Sequence, residues 1–73
     1  MKAIHVIKCR DSLLWYSNQV GNIVPLLREE SDIFMSVEPG GYSNIIYKED
    51  AIITEIESTN VDWYTKYLEV HYG

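Results

Sequence analysis

The chain has 73 residues and a formal net charge of −5, and 47% of its residues are hydrophobic. A chain of this length forms one domain that buries only about 60% of the surface of its unfolded state, which excludes a large core combined with a deep pocket. The apolar and aromatic content excludes a disordered acidic tail, and no apolar run approaches the roughly 18 residues of a membrane span.

Charge is distributed unevenly along the chain. Residues 1–28 carry four basic side chains and one acidic one, whereas residues 29–73 carry two basic and ten acidic ones. An acidic excess repels phosphate backbones and attracts basic surfaces. We therefore expect a protein partner with a basic surface rather than nucleic acid, although a solvated surface that only aids solubility explains the same charge.

The single cysteine, Cys9, excludes an internal disulfide and is typical of a reducing compartment. The start of the chain has too short an apolar stretch for a signal peptide. We therefore expect a cytoplasmic protein. Cys9 is interpreted as a small apolar side chain at the end of a strand rather than as a reactive thiol.

Five short strands are predicted, because β-branched and aromatic residues cluster in short runs between turn residues. Pro25 lies within the second run, which must therefore form an edge or bulged strand. The predicted strands are residues 3–9, 22–27, 33–37, 42–47 and 51–56.

The connections carry clear turn residues. Asp11-Ser12 can cap one helical turn or open a compact loop. Gly21 is expected to take a backbone conformation that other residues avoid. Pro39-Gly40 predicts a turn in which proline sets the first central torsion and Gly40 accepts the positive one. Lys48-Glu49-Asp50 predicts a single helical turn or a tight bend.

Residues 57–73 differ from the rest of the chain. Apolar residues recur there at spacings of three and four, which predicts a C-terminal helix over about residues 61–70 that packs on the barrel. An added strand is the alternative. The residues on the helical face are Val61, Tyr64 and Leu68.

The order of these elements resembles that of the small Src-homology-3-like barrel proteins that bacteriophages encode. The resemblance covers residues 2–56 and implies a mainly β fold, a small five-stranded Src-homology-3-like barrel, followed by the C-terminal helical extension. It also implies a phage origin and an action in the host bacterial cytoplasm, as in family members that inhibit or sequester host factors. The matching positions are Val20-Gly21, Phe34, Gly40-Gly41, Asn44 and Lys48-Glu49-Asp50.

Catalytic and metal-binding patterns are sparse. Neither His5 nor His71 has a cysteine or aspartate at metal-ligand spacing. A strand follows Gly40-Gly41, whereas a phosphate-binding loop leads into a helix and brings a basic residue. We therefore predict no enzyme activity, no metal and no cofactor. Glu49 or Asp50 as a general base is the least implausible catalytic reading.

Aromatic residues point to an interface. They are too numerous for a small core, and Tyr and Trp most often anchor interfaces. In barrels of this type the connection after the first strand and the hairpin after the third lie beside one groove, although core packing explains the same residues equally well. The predicted binding residues are Trp15, Tyr16, Tyr42, Trp63, Tyr67, Glu49 and Asp50.

The leading functional prediction is a non-enzymatic, phage-encoded protein that binds and modulates a host bacterial protein through an aromatic and acidic surface. A nucleic-acid-binding barrel that clusters its N-terminal basic residues is one alternative. An oligomeric small-nucleotide sponge, directed against host defence, is another. A homodimer through the C-terminal aromatic residues is a further expectation.

Overall fold

The computed structural model describes residues 1–56. The predicted helix over residues 61–70 and the predicted binding residues Trp63 and Tyr67 lie outside the described residues. Within residues 1–56 the fold is mainly β, as predicted, with 3-10 turns at Ser17–Gln19 and Lys48–Asp50. The strands are β1 (Lys2–Val6), β2 (Ile23–Pro25), β3 (Arg28–Glu29), β4 (Ile33–Val37), β5 (Ser43–Tyr47) and β6 (Ala51–Glu55).

The strands form two antiparallel sheets of three strands each. In the first sheet β1 lies between β2 and β6, with Ile4 opposite Val24 on one side and Ile53 on the other. In the second sheet β4 lies between β3 and β5, with Phe34 opposite Ile46. The prediction of one closed five-stranded barrel is therefore corrected to two three-stranded sheets.

The extra strand arises because the predicted second strand splits after Pro25. The ladder alternates, so Val24 bonds β1 whereas Pro25 directs its backbone to the other side, where the missing N–H costs no bond to β1. Two residues later the Leu27 N–H donates to the Met35 carbonyl at 2.8 Å, so the chain has moved from the first sheet to the second. A hydrogen bond from Ser36 Oγ to the Pro25 carbonyl, 2.6 Å long, holds the crossing point against β4.

One apolar core joins the two sheets. Alternate residues along each strand point to one face of the sheet, and the inner faces supply the buried side chains. Full burial of each aliphatic or aromatic side chain contributes roughly 1.5–3 kcal/mol to stability. The core consists of Ile4, Val6, Val24, Phe34, Ile46, Ala51 and Tyr16.

Two glycines have the positive φ angles that side-chain-bearing residues avoid. Gly21 has a φ of 89°, which confirms the prediction for this position. In the hairpin between β4 and β5 the positive φ, 97°, belongs to Gly41, so the prediction for Gly40 was wrong. The Gly41 N–H donates to the Glu38 carbonyl at 2.8 Å, which closes a turn with Pro39 and Gly40 at its centre, as predicted. Only the positive φ angle falls one residue later than expected.

The predicted turn at Lys48–Asp50 is confirmed as a 3-10 turn between β5 and β6. Both the Ile7 and Lys8 N–H groups donate to the Asp50 carbonyl, at 2.8 and 3.1 Å. Because this forked contact ends the ladder, β1 ends at Val6. The prediction that this strand extends to Cys9 was wrong.

In the part of the chain that the structure describes, no helix is long and apolar enough to cross a membrane.

Candidate protein-binding surface

The connection between β1 and the first 3-10 turn forms an ordered loop around Asp11. Asp11 Oδ1 accepts the Leu13 N–H at 2.9 Å, and the Asp11 carbonyl accepts the Leu14 N–H at 3.1 Å. Aspartate favours such turns because its short carboxylate reaches the backbone two residues ahead. Leu13 is 90% exposed at the tip of this turn. The loop therefore holds a large apolar side chain in solvent.

Trp15 anchors this loop to β5. Its indole Nε1 donates to the Ile45 carbonyl at 2.7 Å, and its ring meets the Tyr16 ring edge-on at a centroid distance of 5.8 Å. The Trp15 side chain is half-buried against the core. One part of Trp15 therefore packs inside and another part remains accessible, and its role in binding stays a prediction.

Tyr16, which was predicted to bind a partner, is completely buried. Its hydroxyl donates to Asp50 Oδ2 at 2.5 Å and accepts the Tyr47 N–H at 3.4 Å. Burial, followed by the hydrogen bond to Asp50, raises the pKa of Tyr16 well above its ordinary value. Tyr16 is thus a core residue that supports the loop from beneath and cannot contact a partner directly.

Asp50 is also buried, so it is a structural carboxylate rather than a surface charge. Burial alone raises the pKa of Asp50, but the hydrogen bonds from Tyr16 and Arg10 and the positive charge of Arg10 outweigh burial, and the net shift is downward. Oδ1 of Asp50 accepts no hydrogen bond from any residue in the 1–56 range. The charge of Asp50 therefore depends on Tyr16 and Arg10.

Arg10 connects this buried carboxylate to the surface. Its Nε lies 3.3 Å from Asp50 Oδ2, and one terminal nitrogen lies 3.2 Å from Glu49 Oε2. The guanidinium carbon stands 4.1 Å from the centre of the Tyr47 ring, which is a cation–π contact. Glu49, predicted as a binding residue, remains exposed with its charge paired to Arg10.

Tyr42 occupies the hairpin that leads into β5 and is 75% exposed. Its carbonyl accepts the Glu38 N–H at 2.8 Å, which fixes the backbone on both sides of the turn. The ring lies over Gly40, where an added Cβ would stand 3.7 Å from Tyr42 Cδ2. This is an ordinary van der Waals distance, so the position of the Tyr42 ring does not require glycine at residue 40.

The loop follows β5 because it is anchored at two points, Arg10 on Tyr47 and Trp15 on Ile45. Tyr42 directly precedes this strand and Glu49 follows it. We use the term β5 surface for Leu13 and Trp15 of this loop together with Tyr42 and Glu49, which flank the strand. Three of these were predicted from the sequence.

Leu13 was missed by the sequence interpretation. The signal was present in Asp11-Ser12-Leu13-Leu14, where two adjacent leucines follow a turn residue and cannot easily both face the core. The Asp11 side-chain hydrogen bond selects which leucine is exposed, and Leu14 is the one that packs against the core.

Cys9 shows no feature of a reactive thiol. It is half-buried, and its Sγ donates to the Asp11 carbonyl at 3.1 Å. Cys9 packs against the core as predicted, but it lies beyond the end of β1 and not at the end of a strand. Among residues 1–56, no group of three or more His, Cys, Asp or Glu residues is arranged to hold a metal ion.

Comparisons of the chain with protein-family models, with curated proteins and with solved structures found no match.

Proposed function

We propose that this chain is a non-enzymatic binding protein that engages another protein through the β5 surface. The observation that carries the proposal is the 90% exposure of Leu13 on a loop held by hydrogen bonds. An exposed apolar side chain on a backbone that is already held by hydrogen bonds requires little backbone ordering on binding, which favours its use as an anchor.

The charged residues around Leu13 favour a partner with a basic surface. Asp11 and Glu49 are exposed close to the loop, and Arg10 is already paired with Glu49 and Asp50. A partner with an apolar pocket rimmed by basic residues fits such a surface. Because exposed charges are screened by salt, we expect binding to weaken as ionic strength rises.

The finer fold assignment is part of the same proposal. We take the two sheets to be the halves of a Src-homology-3-like fold. The passage of the chain between sheets at residues 26 and 27 supports this assignment, as does the 3-10 turn immediately before β6. The resemblance of residues 2–56 to phage-encoded barrels adds the proposal that the chain is phage-encoded and that its partner is a host bacterial protein, met in the cytoplasm.

Nucleic-acid binding receives less support from the side-chain contacts. Three of the five basic side chains in residues 1–56 form ion pairs with carboxylates of the same chain. These pairs neutralise charge that phosphate contacts would need. The paired residues are Arg10, Arg28 and Lys48.

Affinity capture from bacterial lysate, followed by reconstitution with each purified candidate, tests the proposed function. Leu13→Asp and Tyr42→Ser change exposed residues of the β5 surface, and Val20→Ser is the matched control because Val20 is an exposed apolar residue of a different turn. We expect a reconstituted partner to bind wild type and Val20→Ser equally, and to bind Leu13→Asp at least tenfold more weakly.

Equal binding of all variants would place the interface elsewhere.

The two alternative functions, nucleic-acid binding and nucleotide sequestration, are tested by separate measurements. A gel shift with single-stranded or duplex oligonucleotides at low salt would favour the nucleic-acid reading. A rise in melting temperature with small nucleotides, together with an oligomeric mass, would favour the sponge.

A further inference from the structure

The four edges of the two sheets differ in their protection. Exposed edges present unpaired N–H and C=O groups, and proteins protect them with short strands, proline, charges or covering groups. The β2 edge is three residues long and ends at Pro25, and the β3 edge consists of Arg28 and Glu29 alone. These two edges are protected by length, proline and charge.

The β5 edge is protected by side chains of the β5 surface and the core. The Ile45 carbonyl accepts the Trp15 indole N–H, and the Ile45 N–H donates to Asn44 Oδ1 at 2.8 Å. The Tyr47 N–H donates to the Tyr16 hydroxyl. Backbone groups that another strand would use are therefore already occupied.

The β6 edge has fewer of these protections, because its five residues include no proline and only one charge. Ile56 and Met1 exchange backbone hydrogen bonds, and the Ile7 N–H donates to the Asp50 carbonyl. Since antiparallel ladders alternate, residues 50, 52, 54 and 56 face β1, whereas residues 51, 53 and 55 direct their backbone groups outward. The Ala51 N–H bonds the Lys48 carbonyl. Four outward backbone groups have no backbone partner among residues 1–56. They are the N–H and the carbonyl of Ile53, the N–H of Glu55 and the carbonyl of Ala51.

The side chains along this edge are apolar and accessible. Ile52 is 51% exposed and Ile53 is 37% exposed, although both belong to a five-residue strand. The sequence of β6, Ala-Ile-Ile-Thr-Glu, carries a single charge at its end. A second strand laid along β6 would cover both isoleucines and pair the outward backbone groups.

The β6 strand is complementary to itself. An antiparallel pairing of two copies about a twofold axis at Ile53 places Ile53 opposite Ile53 and Glu55 opposite Ala51. The two Ile53 residues exchange both of their outward hydrogen bonds, and each Glu55 N–H meets an Ala51 carbonyl. Glu55 does not oppose Glu55, so the pairing avoids the like-charge repulsion that destabilises cross-strand pairs.

We propose that the β6 edge binds the β6 edge of a second copy of this chain, which joins the two first sheets into one continuous six-stranded antiparallel sheet. This is an isologous interface, in which the same strand serves on both sides. It uses β6, a different strand from the β5 strand that the proposed partner-binding surface follows.

Sedimentation equilibrium of the full chain over a wide range of concentration tests the dimer. Ile53→Lys places a charge at the centre of the edge. Ile53→Pro removes an N–H that points outward and leaves the bonds to β1 intact. Ile7→Lys is the control, because Ile7 is 47% exposed but lies beyond the end of the central strand β1. We expect wild type and Ile7→Lys to approach twice the monomer mass, and both Ile53 variants to remain monomeric.

Amide exchange gives a second readout that does not depend on variants. In the dimer, protection of the Ile53 and Glu55 amides rises with protein concentration, whereas the Ile52 and Thr54 amides stay protected throughout. A monomeric mass at every concentration would overturn the proposal. Protection of Ile53 that is independent of concentration would also overturn it, because another segment of the same chain would then cover the edge.

Discussion

The Tyr16 hydroxyl donates a 2.5 Å hydrogen bond to the buried carboxylate of Asp50, across 34 positions of sequence. This contact joins the loop that carries Leu13 and Trp15 to the turn that precedes β6. It also supplies a hydrogen bond to a carboxylate whose other oxygen, Oδ1, has no partner among residues 1–56. The stability of the loop and of the turn is therefore coupled.

Removal of the Tyr16 hydroxyl tests this coupling. Tyr16→Phe keeps the ring in the core but deletes the hydrogen bond to a charged acceptor, which costs about 1.5–3 kcal/mol of unfolding free energy. Tyr47→Phe is the matched control, since Tyr47 contributes its ring face to Arg10 and its backbone to Tyr16. Urea denaturation measures both. A loss below about 0.5 kcal/mol for Tyr16→Phe would contradict the role given to this bond.

The pH dependence of stability follows from Asp50. Its pKa is lowered in the folded protein, so below the ordinary value of 3.8 the unfolded state binds the proton more readily than the folded state. This contribution is fully present above the unfolded pKa and is lost as pH falls through the folded pKa. Unfolding free energy measured against pH should decline in this acid range for wild type, and less steeply for Asp50→Asn.

The raised pKa of Tyr16 predicts a second loss of stability, at high pH. Its pKa is raised by burial and by the hydrogen bond to Asp50, so folding favours the neutral phenol. Above the ordinary value of 10.0 the unfolded state ionises first, and stability falls as pH rises. Spectrophotometric titration should find one tyrosine that ionises only on unfolding, and Tyr16→Phe should abolish that step. A tyrosine spectrum that titrates completely in the folded protein would contradict it.

Local patterns predicted most of the fold because strand periodicity and turn residues act over a few positions. Ile33–Val37, the turn at Lys48–Asp50 and the special conformation of Gly21 are in this class. The break after Pro25 was only half anticipated. The sequence indicated a bulged or edge strand, but the new hydrogen bond of Leu27 to Met35 depends on where β4 lies.

The candidate site was harder to predict than the fold. Tyr16 and Asp50 look like an aromatic anchor and an acidic turn when each is considered alone. Their burial follows from a mutual contact across the core that neither local segment encodes. Leu13 is exposed for a local reason, the Asp11 turn, and could have been inferred from the sequence.

The loop itself makes a prediction about binding that is separate from stability. Asp11→Ala deletes the carboxylate that accepts the Leu13 N–H and leaves the Leu13 side chain unchanged. Because Leu13 is then held less firmly, we expect partner affinity to fall several-fold through the cost of ordering the loop. Ser12→Ala is the matched control in the same loop. Calorimetry with the reconstituted partner measures the change, and equal affinity of the two variants would show that loop order is unimportant.

The two hairpin glycines give a final prediction, which compares the cost of a positive φ angle with the steric effect of an added Cβ. Gly41 has a φ of 97° and nothing within 4 Å of an added Cβ, so Gly41→Ala is penalised by its backbone alone. The left-handed region costs a residue with a Cβ roughly 1–2 kcal/mol. Gly40 has no positive φ, and its added Cβ would make an ordinary contact at 3.7 Å with the Tyr42 ring. Urea denaturation should therefore show Gly41→Ala to be less stable than wild type by about 1–2 kcal/mol and Gly40→Ala to be within about 0.5 kcal/mol of it. The reverse order would mean that Gly40, and not Gly41, has the positive φ angle, as the Pro39-Gly40 pair alone suggests.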